Sequence, residues 1–214
     1  MVDGTQRVPR AQLNIALSSE SRDCLVFSHA RLSLIYSVVC LVTVLAVASH
    51  SSAQESHPTE SQVQAAYLYN FGKFVSWPAG RTASGLFEIC VLGRDPFGEI
   101  LDRTVAGESI DGKNISVRRI SAVQQATSCS ILFVSPSEES HLGPILEFAE
   151  HYSLLTVSNI KRFAERGGDI GLVIQQDRVR FEVNRSAAER CHLVLSSELL
   201  KVAVKVIDKG GTGK

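Results

Sequence analysis

The sequence predicts a single α/β domain with a mostly parallel β-sheet, helices on both faces and an antiparallel hairpin near the C-terminus. Two observations support this fold class. After residue 60, short apolar runs typical of buried strands alternate with segments whose apolar residues recur at helical spacing. This alternation is typical of parallel sheets, in which a helix crosses over between successive strands. Farther on, two segments of alternating polarity flank Gln176-Asp177, which favours a tight hairpin turn.

The first predicted element is a helix that ends at Trp77-Pro78, because the residue before a proline avoids the helical region. Its apolar residues follow the spacing of an amphipathic helix and should form its buried face. That face consists of Val63, Ala66, Tyr67, Asn70, Phe71, Phe74 and Val75.

The remaining elements follow in chain order. Buried strands are predicted over residues 86–92, 115–120, 131–135 and 154–158, and the hairpin strands over residues 170–175 and 178–183. Helices or helical turns are predicted over residues 97–105, 121–127, 138–151, 159–165, 186–191 and 196–207. Ser137 is expected to cap the helix over 138–151, whose first turn holds two glutamates where the helix dipole favours acidic groups.

The N-terminal 53 residues are expected to lie outside this domain, as an extension followed by a signal peptide. Arg31 precedes an uncharged apolar run over residues 32–48, and Ser51 and Ala53 fit the small-residue positions of a cleavage site. A basic flank, an apolar run and small residues, in that order, predict a cleavable signal peptide and therefore export. The alternative is an uncleaved membrane anchor, since the run is close to the length that spans a bilayer.

The domain is expected over residues 54–207, and a disordered tail is expected over residues 208–214. The composition of the chain excludes some functional classes for this domain. Basic and acidic residues both number 22, so the formal net charge is zero. No local basic patch is evident, and we therefore expect no nucleic-acid partner. The chain is 44% hydrophobic and 21% charged, which is ordinary globular composition.

Three cysteines remain after the predicted cleavage site. Cys90 lies near the end of one predicted strand and Cys129 closely precedes another, so neighbouring strands would bring the two within bridging range. An exported protein meets oxidising conditions, which favours a disulfide between one pair and leaves one cysteine over. Cys191 is then expected to pack as a small apolar group. The alternative is three reduced, buried thiols.

No catalytic motif is evident in the sequence. It contains no G-x-S-x-G, no G-x-x-x-x-G-K-[ST] and no H-E-x-x-H pattern. His141 and His151 are ten residues apart, outside the spacing of metal ligands on one helix. The glycine-containing segment over residues 93–98 follows a strand and is either a structural turn or a phosphate-binding loop. We expect no enzymatic activity, no cofactor and no metal.

Four side chains are candidates for contact with a partner. Tyr69 and Trp77 lie off the predicted buried face of the first helix, where they would form an exposed apolar patch unless they pack in the core. Glu182 and Asn184 alternate with apolar residues, so they belong either to a solvated strand face or to a recognition surface.

Several stretches, in the same order as in the family, resemble the YfiR-like family of periplasmic regulators. The resemblance covers nearly all of residues 65–206. Its most specific segments are AAYLYNF (65–71), ICVLG (89–93), CSILFVS (129–135), FAERGG (163–168), VRFEVN (179–184) and LSSELLKVA (195–203).

The resemblance implies a non-enzymatic protein. Well-understood members bind the periplasmic sensor domain of an inner-membrane diguanylate cyclase and hold it inactive, which lowers cyclic-di-GMP and biofilm formation. Members tend to form homodimers and depend on a disulfide at the positions of Cys90 and Cys129. Some carry a second disulfide, but Ala164 and Gly171 occupy that region here.

The sequence therefore leaves three hypotheses, ranked in this order. The first is a periplasmic module that represses a membrane cyclase by direct contact. The second is a periplasmic accessory protein that binds a small molecule at the strand ends near residues 93–98. The third is an enzyme, which is disfavoured because no nucleophile–base pair or metal spacing is evident.

Overall fold

The computed structural model describes residues 58–79 and 85–208. The predicted extension and signal peptide, and residues 209–214 of the predicted tail, lie outside the described residues. The described part of the chain confirms the expected fold class, an α/β domain with a mostly parallel sheet and an antiparallel hairpin.

The strands are short and most of them are buried. In chain order they are β1 (Val75–Ser76), β2 (Leu86–Leu92), β3 (Ser109–Ile110), β4 (Lys113–Ile120), β5 (Ile131–Val134), β6 (Leu155–Ser158), β7 (Ile170–Gln175), β8 (Arg178–Asn184), β9 (Val194–Leu195) and β10 (Lys205–Ile207).

Helices precede, connect and follow these strands. They are α1 (Glu60–Phe74), α2 (Glu99–Val105), α3 (Leu142–His151), α4 (Arg185–Arg190) and α5 (Ser197–Val202), with two 3₁₀ helices over Val123–Ala126 and Pro136–His141.

Eight strands form one sheet in the order β10-β8-β7-β6-β5-β2-β4-β3. The central strands β4, β2, β5, β6 and β7 run parallel to one another, whereas β7–β8 and β3–β4 are antiparallel. The chain order reverses between β2 and β5, which makes this the topological switch point of the sheet. β1 and β9 form a separate two-stranded sheet that the sequence did not predict.

The apolar core has two halves because successive residues of each strand point to opposite faces of the sheet. Ile89 and Val91 of β2 belong to the half that α1 and α2 cover. Cys90 and Leu92 belong to the other half, which α3 and the segment after β6 cover. Both faces of the central strands are thus removed from water, as the continuous apolar runs predicted.

Helix α1 begins with a capping box, in which the Thr59 hydroxyl accepts a hydrogen bond from Gln62 N and the Gln62 Oε1 accepts one from Thr59 N. The predicted buried face was partly wrong, because the buried stripe is rotated and Phe74 is exposed. The stripe consists of Gln64, Ala65, Leu68, Phe71 and Gly72. A Cβ on Gly72 would overlap Ile110 and contact Phe87, so glycine allows α1 to approach the sheet closely.

Three helix predictions need correction. The segment over 138–151 starts as a 3₁₀ helix at Pro136, and its cap is Ser135 rather than Ser137. Residues 159–165 form turns rather than a regular helix. The predicted terminal helix over 196–207 is the helix α5 followed by the strand β10, since valine and isoleucine suit a strand as well as a buried helix face.

The hairpin between β7 and β8 is confirmed, and its register places Gln175 opposite Arg178. Gln176 and Asp177 both have positive φ angles, 52° and 56°. Two successive left-handed residues are the signature of a type I′ turn, whose twist matches that of the strands it joins.

Candidate functional site

Cys90 and Cys129 form a disulfide with their Cα atoms 5.9 Å apart. The pairing is confirmed, and it follows from the sheet, since β2 and β5 are adjacent parallel strands. Cys191 is reduced and buried, at the end of α4. The protein thus holds a buried cross-link between two central strands.

A polar cluster adjoins this disulfide. The Glu88 carboxylate accepts hydrogen bonds from Arg118 at 3.1 Å and from the Ser128 hydroxyl at 2.5 Å. A Glu88 oxygen and the two sulfurs also lie within 4.8 Å of one another. Since both sulfurs belong to the disulfide, this group offers no thiolate to a metal in its oxidised form.

Trp77 is half-buried and is anchored to the sheet. Its indole N–H donates to Ser130 O at 3.1 Å, and its ring packs edge-on against Phe87 with centroids 5.1 Å apart. The expected exposed patch of Tyr69 and Trp77 is therefore reduced on the Trp77 side, where both the polar tip and one ring face pack within the domain.

Tyr69 is partly exposed at the edge of α1. Its hydroxyl hydrogen-bonds the Glu108 carboxylate, and the Lys73 ammonium lies 3.9 Å from the ring centroid. These are surface contacts of low energy. Tyr69 thus remains accessible to a partner, although its neighbours hold it in one orientation.

Asn184 is buried, and the prediction that it lies on a solvated strand face is wrong. Its Oδ1 caps α4 by accepting from Ala187 N at 2.9 Å, and its Nδ2 donates to Ala164 O at 2.8 Å. Both ends of the amide are engaged within the domain. The signal that reasoning from alternation missed is the helix-forming segment that directly follows this asparagine.

Glu182, the fourth candidate, is partly exposed and lines a cavity of about 380 Å³. The cavity lies where β6 ends and the β7–β8 hairpin continues, between the start of α1 and the segment after β6. Its walls include Ile160 and Leu172, and its polar lining includes Glu60, Gln64, Asn159, Lys161, Arg162 and Glu165.

A second cavity, of about 650 Å³, lies on the other side of Ile174. Glu60 and Ile174 line both cavities, which makes them parts of one surface feature. We call the two cavities together the hairpin groove. Ile174 lines both cavities and is 57% exposed.

The charges beside this groove are partly neutralised by one another. Glu165 accepts from Lys205 and from Arg162, each at 2.5 Å, and these two cations lower the pKa of the Glu165 carboxyl to about 2. Asn159 Oδ1 is buried without a hydrogen-bond partner among the described residues. The other carboxylates that line the groove belong to Glu60, Asp177 and Glu182, and none of these is in an ion pair among the described residues.

The segment over residues 93–98 is a clamped turn. Arg119 donates to Asp95 at 2.9 Å, to Gly98 O at 2.6 Å and to the Asp102 carboxylate. The Asp102 side chain raises the pKa of the Arg119 guanidinium, and Arg119 lowers that of the Asp102 carboxyl. The Arg119 guanidinium is thus paired with carboxylates, which favours a structural role over phosphate binding.

The switch point between β2 and β5 is filled by side chains. The Ser137 hydroxyl accepts from Arg94 N at 3.0 Å and lies against Gly93 together with Glu138. A Cβ on Gly93, which has a φ of 87°, would overlap both side chains. Among the described residues, the groove at the end of β6 is therefore a better candidate for a ligand than the expected position near residues 93–98.

A buried carboxyl group links three elements of the sheet end. Asp169 Oδ2 accepts from Thr156 N at 2.8 Å and from the Thr156 hydroxyl at 2.7 Å, and Asp169 O accepts from Asn184 N. The Cys191 sulfur lies 3.9 Å from Asp169 Oδ1. Burial raises the pKa of Asp169 to about 6, although the Thr156 hydrogen bonds oppose that shift.

Within residues 58–79 and 85–208, no helix is both long enough and apolar enough to cross a bilayer. The apolar run over 32–48, on which the signal peptide and the anchor were both predicted, lies outside these residues.

The model of the YfiR/HmsC-like family matches residues 61–204. This range includes the disulfide, most of the residues that line the hairpin groove, and every described strand except β10. The chain belongs to the YfiR/HmsC-like family. The resemblance seen in the sequence is thereby confirmed, and at the level of the family it supports a periplasmic regulator of diguanylate cyclase signalling.

This YfiR/HmsC-like protein is similar to parts of several solved structures. A conserved domain protein from Vibrio cholerae has a TM-score of 0.50 at 14% identity, over 71% of this chain and 61% of the other. An ABC domain in complex with L-Trp from Streptococcus pneumonia has a TM-score of 0.43 at 13% identity, over 69% of this chain and 60% of the other.

A ligand-free, open substrate-binding protein with adhesive properties from Clostridium difficile has a TM-score of 0.40 at 11% identity, over 60% of this chain and 57% of the other. In all three cases this chain spans about three-fifths of the other chain's length. The search of curated proteins returned no match.

Proposed function

We propose that this protein binds the periplasmic sensor domain of an inner-membrane diguanylate cyclase and represses it. The observation that supports this most strongly is family membership over residues 61–204. In this proposal the chain reaches the periplasm through a cleavable signal peptide and works as a homodimer without a cofactor. In this proposal it catalyses no reaction and represses the cyclase by binding the inactive state more tightly than the active state.

The hairpin groove supports this proposal as a contact surface. Ile174 offers an exposed apolar side chain at its centre, and Glu182 offers a carboxylate at its side. A central apolar residue surrounded by polar groups is the usual arrangement of an interface hot spot. Tyr69 is a second candidate contact, because it is accessible at the edge of α1.

Of the four residues proposed from sequence, Tyr69 and Glu182 therefore remain proposals as direct contacts. Trp77 and Asn184 would influence binding chiefly through the stability of the domain, because their polar groups bond to Ser130 and to Ala164 and Ala187.

The test is binding of the purified protein to the periplasmic segment of a diguanylate cyclase encoded beside it, by isothermal titration calorimetry. We expect a complex with the unchanged protein, and a loss of at least about tenfold in affinity for Ile174→Asp. Val194→Asp is the matched control, since Val194 is also exposed but lies on β9, outside the groove.

Two outcomes would count against these assignments in different ways. No complex at tens of micromolar with the unchanged protein would contradict repression by direct contact. A complex that Ile174→Asp leaves intact would contradict the groove as the contact surface while the repression itself could stand.

A second candidate function is the binding of a small molecule in the cavity beside Glu182. Its volume of about 380 Å³ falls in the usual range of ligand pockets, and it lies at the carboxyl end of β6, where open α/β sheets bind ligands. The unpartnered Asn159 Oδ1 at its lining favours this candidate further.

Native mass spectrometry of the protein purified from the periplasm tests this function. We expect a bound small molecule that is absent from Val173→Trp, in which an indole would occupy the cavity that Val173 lines. An unliganded mass in every preparation, together with no stabilisation by periplasmic extract, would contradict it.

A further inference from the structure

We infer that β10 is the strand through which two copies of this chain pair, with Val206 opposite Val206 of the second copy. β10 is the last strand of the eight-stranded sheet, and among the described residues it pairs with β8 alone. A strand with a single neighbour leaves N–H and C=O groups open to a further strand. The inference rests on the homodimer of the proposed function, but not on which protein is regulated.

The backbone hydrogen bonds of the sheet show which N–H and C=O groups of β10 point away from β8. Asn184 N donates to Asp169 O on the β7 side, so the preceding residue, Val183, directs its backbone groups toward β10. Val206 is in register with Val183 in this parallel pair. Residues in register on parallel strands direct their backbone groups the same way, and the N–H and C=O of Val206 therefore point away from β8.

The charged side chains next to Val206 do not protect this edge. Proteins commonly keep a free edge from pairing by placing lysine on it. Here the Lys205 ammonium lies 2.5 Å from the Glu165 carboxylate, and the Asp208 carboxylate lies 3.9 Å from the Arg185 guanidinium. Both charges are thus engaged by side chains of the same chain.

The segment around β10 is apolar and accessible instead. Val202, Val204 and Val206 are 64%, 42% and 36% exposed. The opposite edge of the sheet differs, because β3 has two residues and lies between Glu108 and Asp111. Of the two edges, β10 is therefore the one whose side chains favour a further strand.

A second copy fits this edge in one register. In a two-fold antiparallel pair centred on Val206, each Val206 N–H donates to the Val206 oxygen of the other copy, and each Lys205 lies opposite Ile207. A slide by two residues in either direction would place Lys205 opposite Lys205 or Lys209 of the second copy, which like charge disfavours. The formal net charge of zero adds no overall repulsion between copies.

The first test is analytical ultracentrifugation of the protein purified from the periplasm, over a wide concentration range. We expect reversible dimers, and for Val206→Pro a dissociation constant at least about tenfold higher. Proline removes the outward N–H of Val206, which makes no bond to β8, so the fold should be kept. Val194→Asp is the control for a surface change elsewhere and should dimerise like the unchanged protein.

The second test does not depend on whether Val206→Pro folds. Residues opposite each other in an antiparallel hydrogen-bonded pair have Cα atoms about 5.5 Å apart, which suits a disulfide. We expect Val206→Cys, treated with oxidised glutathione, to form a covalent dimer that reductant separates, and Val194→Cys to form no covalent dimer. A monomer at all concentrations, or a dimer that Val206→Pro leaves unchanged and Val206→Cys does not cross-link, would overturn the inference.

Discussion

The indole N–H of Trp77 donates a hydrogen bond to the main-chain oxygen of Ser130, the residue next to the disulfide-bonded Cys129. Trp77 follows β1, in the connection between α1 and β2, whereas Ser130 directly precedes β5. The bond therefore ties this connection to the centre of the sheet, and it makes Trp77 part of the framework around the cross-link.

Trp77→Phe should lower the free energy of unfolding by about 1 kcal/mol, the net contribution of one hydrogen bond. The effect stays small because Ser130 O also accepts from Leu155 N and phenylalanine keeps an aromatic contact with Phe87. Urea unfolding measures the change. Tyr69→Phe is the matched comparison and should cost less, since its hydroxyl bonds an exposed carboxylate. Equal losses for the two variants would contradict the anchoring role of Trp77.

Reduction of the Cys90–Cys129 disulfide should lower the free energy of unfolding by about 4 kcal/mol, as the chain-entropy model gives for a loop of 39 residues. Urea unfolding with and without dithiothreitol measures this loss. Cys191→Ala is the control, because Cys191 is outside the disulfide and should leave the effect of the reductant unchanged. Equal stability with and without reductant would contradict a stabilising cross-link.

The buried Asp169 should make the domain less stable as pH rises toward neutrality. Its folded pKa, about 6, lies above the ordinary aspartate value of 3.8, so its favourable contribution is complete below about pH 4 and is lost as pH rises through 6. The full difference is about 3 kcal/mol at 1.36 kcal/mol per pKa unit. Urea unfolding at intervals from pH 4 to pH 7 measures it.

Asp169→Asn provides the control for that pH dependence. An amide oxygen can still accept from Thr156, but the side chain no longer titrates. The difference in stability between the unchanged protein and Asp169→Asn should therefore vary with pH between 4 and 7. Parallel curves would show that Asp169 does not titrate there. Glu165 has a folded pKa of about 2, so its contribution to stability is lost as pH falls rather than as pH rises. Both proteins contain Glu165, and its contribution therefore cancels in the difference between them.

Arg119→Ala should destabilise the turn over residues 93–98 by about 1 kcal/mol, the upper end for partly exposed ion pairs, because one guanidinium binds Asp95, Asp102 and Gly98 O together. Arg103→Ala is the matched control, since Arg103 contacts a single exposed glutamate one helical turn away and should cost less than about 0.5 kcal/mol. A smaller loss for Arg119→Ala than for Arg103→Ala, in thermal or urea unfolding, would contradict the clamp.

Sequence patterns predicted the centre of this fold better than its margins. The strand over Leu86–Leu92 was predicted to the residue, because a central parallel strand is buried on both faces and leaves a continuous apolar run. The disulfide was predicted because one cysteine lies near the end of such a run and the other closely precedes the next. Two-residue strands such as Val75–Ser76 have no periodicity to detect, since their pairing is decided by tertiary contacts.

The candidate surface was predicted only in part, for a physical reason. The alternation of β8 placed Glu182 correctly toward the polar side, yet the same alternation failed two residues later, where the chain turns into α4. The hairpin groove could not be foreseen, because it is formed by α1, the segment after β6 and the hairpin, which only the fold brings together. Capping competes with alternation at such junctions.

Asn184→Ala should lower the free energy of unfolding by about 2 kcal/mol, because it removes the cap of α4 and the hydrogen bond to Ala164 O. Asn184→Asp should lose less, since aspartate also caps helices and only the bond to Ala164 O is lost. Both variants should bind the cyclase segment like the unchanged protein at temperatures where they remain folded. A normal melting curve with weakened binding would instead make Asn184 a direct contact, against its burial.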